Sequence, residues 1–322
     1  MSTRSDWCGQ RCGFCFCAQT AMTPDDSDDS DDSDDSDDDD DDHFIEAKSM
    51  SDERPIGVFD SGVGGLTVLR AVKAALPNES TVYLGDTARV PYGTRSAQTV
   101  ITYAVNNART LVAHGDIKCL VVACNTVSAV AIDALRAAVD IPVVGVIEPG
   151  AAAALRVHRG GSIAVLGTPG TVRSGAYARA LLKAGYDGPA AAVACPLFVP
   201  LAEEGWTSGE VPGLVADRYL QQLPKDVAVV ILGCTHYPLL AAVIRERLAV
   251  LRPGAVVVDG AAATVDATIS VLADRRRLSM TPAQHRLLVS DAPSQMAALA
   301  PAFLGEVVDA ATVELVDVIM SR

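Results

Sequence analysis

The sequence predicts an α/β protein made of two pseudo-symmetric parallel-sheet domains that face each other across a cleft. Three observations predict it. Short aliphatic runs recur from Pro55 onward, they alternate with Ala/Leu-rich helical stretches, and the whole pattern repeats once along the chain. Continuous apolar runs mark strands buried on both faces, and strands alternating with helices mark a parallel sheet.

Residues 25–42 are Asp/Ser repeats ending in six consecutive aspartates. Self-repulsion and the lack of apolar side chains oppose packing there, so residues 1–53 are predicted to be a disordered acidic extension. Cys8, Cys12, Cys15 and Cys17 lie upstream of that tract. With His43 they offer metal-ligand chemistry, but their spacing matches no regular zinc pattern, and the segment reads as a dispensable extension. The runs Ile56–Phe59, Thr81–Leu84, Cys119–Ala123 and Pro142–Ile147 then supply the strands of a first domain, residues 54–150. Ile163–Leu166, Ala191–Ala194, Val227–Leu232 and Val256–Val258 supply those of a second, residues 151–261. Residues 262–322 carry one more run, Arg286–Ser290.

The net charge of −14 misleads if spread over the whole protein. Residues 1–50 hold 16 acidic groups against Arg4, Arg11 and Lys48, which leaves 23 basic and 24 acidic groups for the remainder. A nearly neutral body has no global basic field for nucleic acid. The apolar stretch near Phe14 is too short for a signal peptide, and no run of about 18 apolar residues suggests a membrane span. A soluble protein of the cytoplasm is expected, with Cys119, Cys124, Cys195 and Cys234 as free thiols.

The repeat locates the chemistry. Ile56-Gly-Val-Phe-Asp60-Ser61 aligns with Ile163-Ala-Val-Leu-Gly167-Thr168, an offset of 107. Val90-Pro91 recurs as Val199-Pro200, and Val121-Val-Ala-Cys124-Asn125-Thr126 as Ile231-Leu-Gly-Cys234-Thr235-His236. Val146-Ile-Glu148 matches Val257-Val-Asp259, an offset of 111. Each half therefore places one cysteine at a strand end, where ligands of open α/β sheets bind. Free cysteine is often a core residue, but here the flanks are Asn-Thr and Thr-His rather than apolar.

Two thiols facing one cleft suit stereoinversion at an acidic carbon. One, as thiolate, removes a proton from one face, and the other, as thiol, returns a proton to the opposite face. Running the reaction backwards exchanges their roles, so the two groups should be chemically alike. An ordinary thiol, with a pKa of about 8.5, is only a few per cent ionised at neutral pH and needs local tuning. Strand-to-helix turns offer amide donors that could tune a thiol or hold a carboxylate. Asp60 could help Cys124 or meet a substrate ammonium, and His236 could serve Cys234. None of the five lysines (Lys48, Lys73, Lys118, Lys183 and Lys225) sits in a polar strand-end loop, so pyridoxal phosphate is not indicated. Gly62-Val-Gly64-Gly65 has Thr67 where a dinucleotide loop needs its third glycine. No cofactor is expected.

The motifs Gly57-Val-Phe-Asp60-Ser61-Gly-Val-Gly-Gly-Leu, Tyr83-Leu-Gly-Asp86-Thr-Ala-Arg-Val-Pro-Tyr92-Gly93, Ala123-Cys124-Asn125-Thr126, Gly145-Val-Ile-Glu148-Pro and Leu232-Gly-Cys234-Thr235-His236-Tyr-Pro-Leu, with Cys195-Pro-Leu-Phe-Val-Pro-Leu-Ala-Glu203-Glu204-Gly205, resemble the glutamate racemase family. The resemblance covers residues 54–322. It implies L-/D-glutamate interconversion without a cofactor, supplying D-glutamate for peptidoglycan. Cys124 and Cys234 become the proton carriers, with Asp60, Asp86, Glu203 (or Glu204) and His236 assisting. Ser61, Tyr92, Gly93, Asn125, Thr126, Thr235 and His236 become substrate contacts together with Asp60, and Thr168 joins them as the repeat counterpart of Ser61. The resemblance also implies that residues 262–322 pack back on the first domain. Val127 and Gly260 depart from the family's usual Ala and Ser. A homodimer is an expectation from the family alone. Aspartate racemisation, a non-catalytic bilobal amino-acid-binding protein and a cysteine hydrolase are the competing readings, the last leaving the second cysteine without a purpose.

Overall fold

In the computed structural model, residues 52–272 and 282–318 are described, so the extension up to residue 51, with its four cysteines and His43, lies outside the described residues. Among the described residues, ten strands form two sheets in which every pairing is parallel. They are β1 (Ile56–Asp60), β2 (Thr81–Gly85), β3 (Cys119–Val122), β4 (Val143–Gly145), β5 (Ser162–Gly167), β6 (Ala190–Ala194), β7 (Val227–Gly233), β8 (Val256–Asp259), β9 (His285–Val289) and β10 (Val313–Leu315). The first sheet runs β10-β9-β2-β1-β3-β4 and the second β6-β5-β7-β8.

Under the sequence repeat, β1 to β4 correspond to β5 to β8, and the order β2-β1-β3-β4 is the order β6-β5-β7-β8. The duplication therefore extends from motif to topology. β9 pairs with β2 and β10 with β9, so the end of the chain widens the first sheet only.

Each central strand is buried on both faces because its alternate residues enter different cores. In the first sheet Ile56, Val58, Tyr83 and Val121 join one apolar cluster, while Phe59, Val82, Leu84 and Val122 join the other. In the second, Ala164, Leu166 and Leu232 pack on one side and Ile163, Val165 and Ile231 on the other. Full burial of such a side chain contributes about 1.5–3 kcal/mol, which favours aliphatic residues through the middle of these runs.

The run Pro142–Ile147 yields a strand of only three residues, since Ile147 already opens the helix Ile147–Val157. Periodicity cannot separate the end of a buried strand from the start of a buried helix. The edge strand β10 escapes the sequence reading because two of its three residues are exposed and it has no apolar run. Asp52, counted with the extension from sequence, is engaged at the body's edge. Its carbonyl accepts from Lys118 Nζ at 2.7 Å, and the buried ammonium pairs with Glu79 at 2.6 Å.

The chain passes between the sheets twice. One passage runs through the helix Ile147–Val157, and the other begins at Gly260 and the helix Ala261–Leu272. The two helices pack on each other. A Cβ added to Gly260 would lie 3.3 Å from the Gly150 Cα, so the first turns touch backbone to backbone.

Candidate active site

Parallel register brings the carboxyl ends of β1, β3, β5 and β7 into one region. Cys124 follows β3 and caps the short helix Asn125–Val130, and Cys234 follows β7 directly. Beyond Cys234 the chain enters a 3-10 turn, Tyr237–Leu240, rather than the expected helix, with Pro238 in its first turn.

Both cysteines are 6 % exposed, and both line one cavity of about 190 Å³. That is smaller than the roughly 300–1,000 Å³ of sites for drug-sized molecules, a scale suited to a free amino acid. Ser61, Tyr92, Gly93, Asn125, Thr126, Thr168, Glu203, Thr235 and His236 share its wall. So do the repeated pairs Val90-Pro91 and Val199-Pro200, which the sequence marked as a repeat but not as a site. A larger groove of about 500 Å³, between Ser128 and Lys183, contains neither thiol. Chemistry favours the smaller cavity.

The two sulfurs have unlike surroundings. Cys124 Sγ lies 3.5 Å from Ser61 Oγ, and burial together with the nearby Asp60 charge pushes its pKa up to about 12. Cys234 Sγ lies 3.9 Å from His236 Nδ1, and His236 Nε2 lies 2.9 Å from Glu203 Oε1. The geometry thus selects Glu203 over Glu204 as the histidine's partner. Burial opposes charge on the His236 ring, but its bonds to Cys234 and Glu203 prevail and push its pKa up to about 10. The raised pKa favours the protonated ring, which lies between a sulfur and a carboxylate.

Asp60 is fully buried beneath the cavity floor rather than in its wall. Its Oδ1 accepts from the Gly62 N–H at 2.9 Å, while Oδ2 makes no hydrogen bond. Burial raises its pKa, and the His236 charge partly counters this.

Asp86, expected to assist the thiols, does not line the cavity itself. It is buried outside the cavity wall, and its carboxylate accepts from Arg89 at 2.7 Å, Ser290 at 2.7 Å, Asn107 at 3.0 Å and the Tyr92 hydroxyl. With its oxygens so occupied it anchors the Tyr92-Gly93 loop. Charge-assisted bonds of this kind contribute about 1.5–3 kcal/mol each.

The halves meet closely around the cavity. The hydroxyls of Thr126 and Thr168 are 2.9 Å apart, and Thr67 Oγ1 donates to the Thr235 carbonyl at 3.1 Å. A Cβ on Gly64 would come within 2.2 Å of Thr235 Oγ1 and 2.5 Å of the His236 ring. The glycine run that the sequence compared with a nucleotide loop is therefore a contact surface for the second cysteine's loop. Sequence reasoning missed Tyr177, whose hydroxyl donates to Asn125 Oδ1 at 2.7 Å, and Phe303, whose ring stands edge-on to His236 at 5.2 Å. Both sit in helices without a motif, and only tertiary packing brings them here.

Residues 56–268 match the family model described as Asp/Glu/Hydantoin racemase. A glutamate racemase from Geobacter metallireducens is 50% identical over 255 residues, covering 78% of this chain and 93% of the relative. One from Chlorobium phaeobacteroides is 45% identical, covering 83% and 97%. Among solved structures, the Francisella tularensis glutamate racemase in complex with D-glutamate is similar with a TM-score of 0.76 and 34% identity, over 83% of this chain and 98% of that one. The Thermus thermophilus glutamate racemase in complex with beta-chloro-D-alanine gives 0.73 and 42%, over the same two shares.

Proposed function

Since the chain belongs to the Asp/Glu/hydantoin racemase family, we propose that it interconverts L- and D-glutamate by a two-cysteine mechanism and supplies D-glutamate for peptidoglycan. The observation that carries the reading is one amino-acid-sized cavity whose wall holds a thiol from each half. Cys124 and Cys234 exchange the roles of base and acid, so a proton leaves one face of the α-carbon and another arrives on the opposite face. His236 stands beside the Cys234 sulfur, and Glu203 holds the ring. Ser61, Asn125, Thr126, Thr168 and Thr235 offer hydroxyl, amide and backbone donors to the substrate carboxylates, with Tyr92-Gly93 closing the wall. Asp60, whose charge acts on Cys124, would favour a substrate ammonium.

Glutamate rather than aspartate is supported by the relatives' names and by the complete Cys234-Thr-His-Tyr-Pro motif. No helix among the described residues is long and apolar enough to cross a membrane, which is compatible with a cytoplasmic enzyme.

The test incubates the purified protein with each enantiomer of glutamate and of aspartate in deuterated water, with no cofactor added. Glutamate should racemise, with solvent deuterium entering chiefly the inverted product. Turnover of aspartate alone would overturn the substrate assignment, and turnover of neither would leave only a binding protein.

A further inference from the structure

Asn125 can serve a substrate carboxylate in only one orientation. Its N–H groups attract the anion, and its carbonyl oxygen repels it. The two ends of a carboxamide are almost identical in shape, so packing alone cannot choose between them.

Tyr177 makes the choice. It lies on the helix Ala176–Lys183 and donates its hydroxyl to Asn125 Oδ1 at 2.7 Å, with both residues buried. Burial, with Asp259 and Cys234 nearby, raises the pKa of the phenol and keeps its proton on. A flipped amide would turn its own donors toward the phenol and leave the phenolic hydrogen without this acceptor. Such a mismatch between buried polar groups is costly.

We propose that Tyr177 is a positioning residue that locks the Asn125 carboxamide with its N–H groups toward the substrate carboxylate. The inference rests on the racemase reading above. Tyr177 belongs to the second half and Asn125 to the first, so the lock closes only when the halves take this mutual position. Carboxylate binding thereby becomes sensitive to how the halves are set.

Steady-state kinetics with both enantiomers of glutamate test the proposal in Tyr177→Phe, Asn125→Ala and the double variant, alongside thermal unfolding of each. Tyr177→Phe should raise KM about 10-fold for either enantiomer while kcat stays within about threefold, the scale of one lost hydrogen bond. Asn125→Ala should raise KM further, and adding Tyr177→Phe to it should change nothing more. An unchanged KM in Tyr177→Phe, or its full effect persisting in the Asn125→Ala background, would overturn the lock. A purely structural role would lower the melting temperature without this pattern. Asn125→Asp keeps an acceptor for Tyr177 but turns an anionic oxygen toward the substrate, so it must bind glutamate more weakly than Asn125→Ala, and equal or tighter binding counts against the proposal. Failure of the wild-type protein to racemise glutamate would sink the proposed function alone. The lock is also read without substrate in a neutron structure, where the deuteron on the Tyr177 oxygen must point at Asn125 Oδ1 and the amide deuterons toward the cavity. The reverse arrangement overturns it.

Discussion

The setting of Cys124 and the setting of Cys234 occupy equivalent places in a duplicated topology, yet they share little beyond the sulfur. Asp60 lies beneath Cys124, and its repeat counterpart is Gly167, which carries no charge. Cys234 has His236, whose counterpart is Thr126, and that histidine is held by Glu203 from another segment. The anionic companion of Cys124 raises its pKa, whereas Cys234 faces an imidazolium. The repeat keeps the positions of the two proposed proton carriers and replaces the groups around them. A reversible inversion does not require identical surroundings, only two thiols that can each reach both protonation states once substrate is bound.

Replacing the sulfurs one at a time should break the comparison most severely. Cys124→Ala and Cys234→Ala should each lower kcat/KM for glutamate by roughly 10³-fold or more, within the scale of general acid–base catalysis or beyond it, measured by polarimetry. If either variant kept a tenth of the activity, a two-thiol mechanism would be untenable.

The next effect separates the companions. His236→Asn should reduce kcat roughly 10–100-fold and remove the high-pH limb of the rate profile. In the wild-type protein the rate should fall as pH rises through about 10, because the ring then loses the proton it holds between the Cys234 sulfur and Glu203. The sign for folding agrees. A histidine whose pKa is raised above its ordinary 6.5 contributes stability fully below 6.5 and loses it as pH rises through about 10. A variant whose limb stayed in place would show that another group titrates there.

The smallest effect concerns Cys124. In a Cys234→Ala background, Asp60→Asn removes a charge that raises the Cys124 pKa, so alkylation by iodoacetamide should begin at lower pH. At a given pH the rate should rise about 3–10-fold, since a tenfold change corresponds to one pKa unit, followed peptide by peptide by mass spectrometry. Slower alkylation would mean that Asp60 acts on Cys124 mainly through something other than its charge.

The fold was legible because burial on both strand faces writes itself as uninterrupted aliphatic runs, and because the repeat preserved spacing. The strand-end rule then pointed to Cys124, Cys234 and the residues around them. The partners of Asp86 were not legible because a carboxylate at a strand end looks the same in sequence whether its oxygens face a cavity or are taken up by Arg89, Ser290, Asn107 and Tyr92. Ser290 lies 204 residues from Asp86, a distance that no local pattern spans. Tyr177 and Phe303 were invisible for a related reason, since an aromatic on an amphipathic helix reads as core until its neighbours are known. Glu203 could be told from Glu204 only by which one meets His236.

The contact between Gly150 and Gly260 has a mechanical consequence. A lobe joined by one linker can swing, twist and drift, but the second sheet is spliced into the first with a tether at each end. Because those tethers meet backbone to backbone, the lobe is left mainly with rotation about the point where they touch.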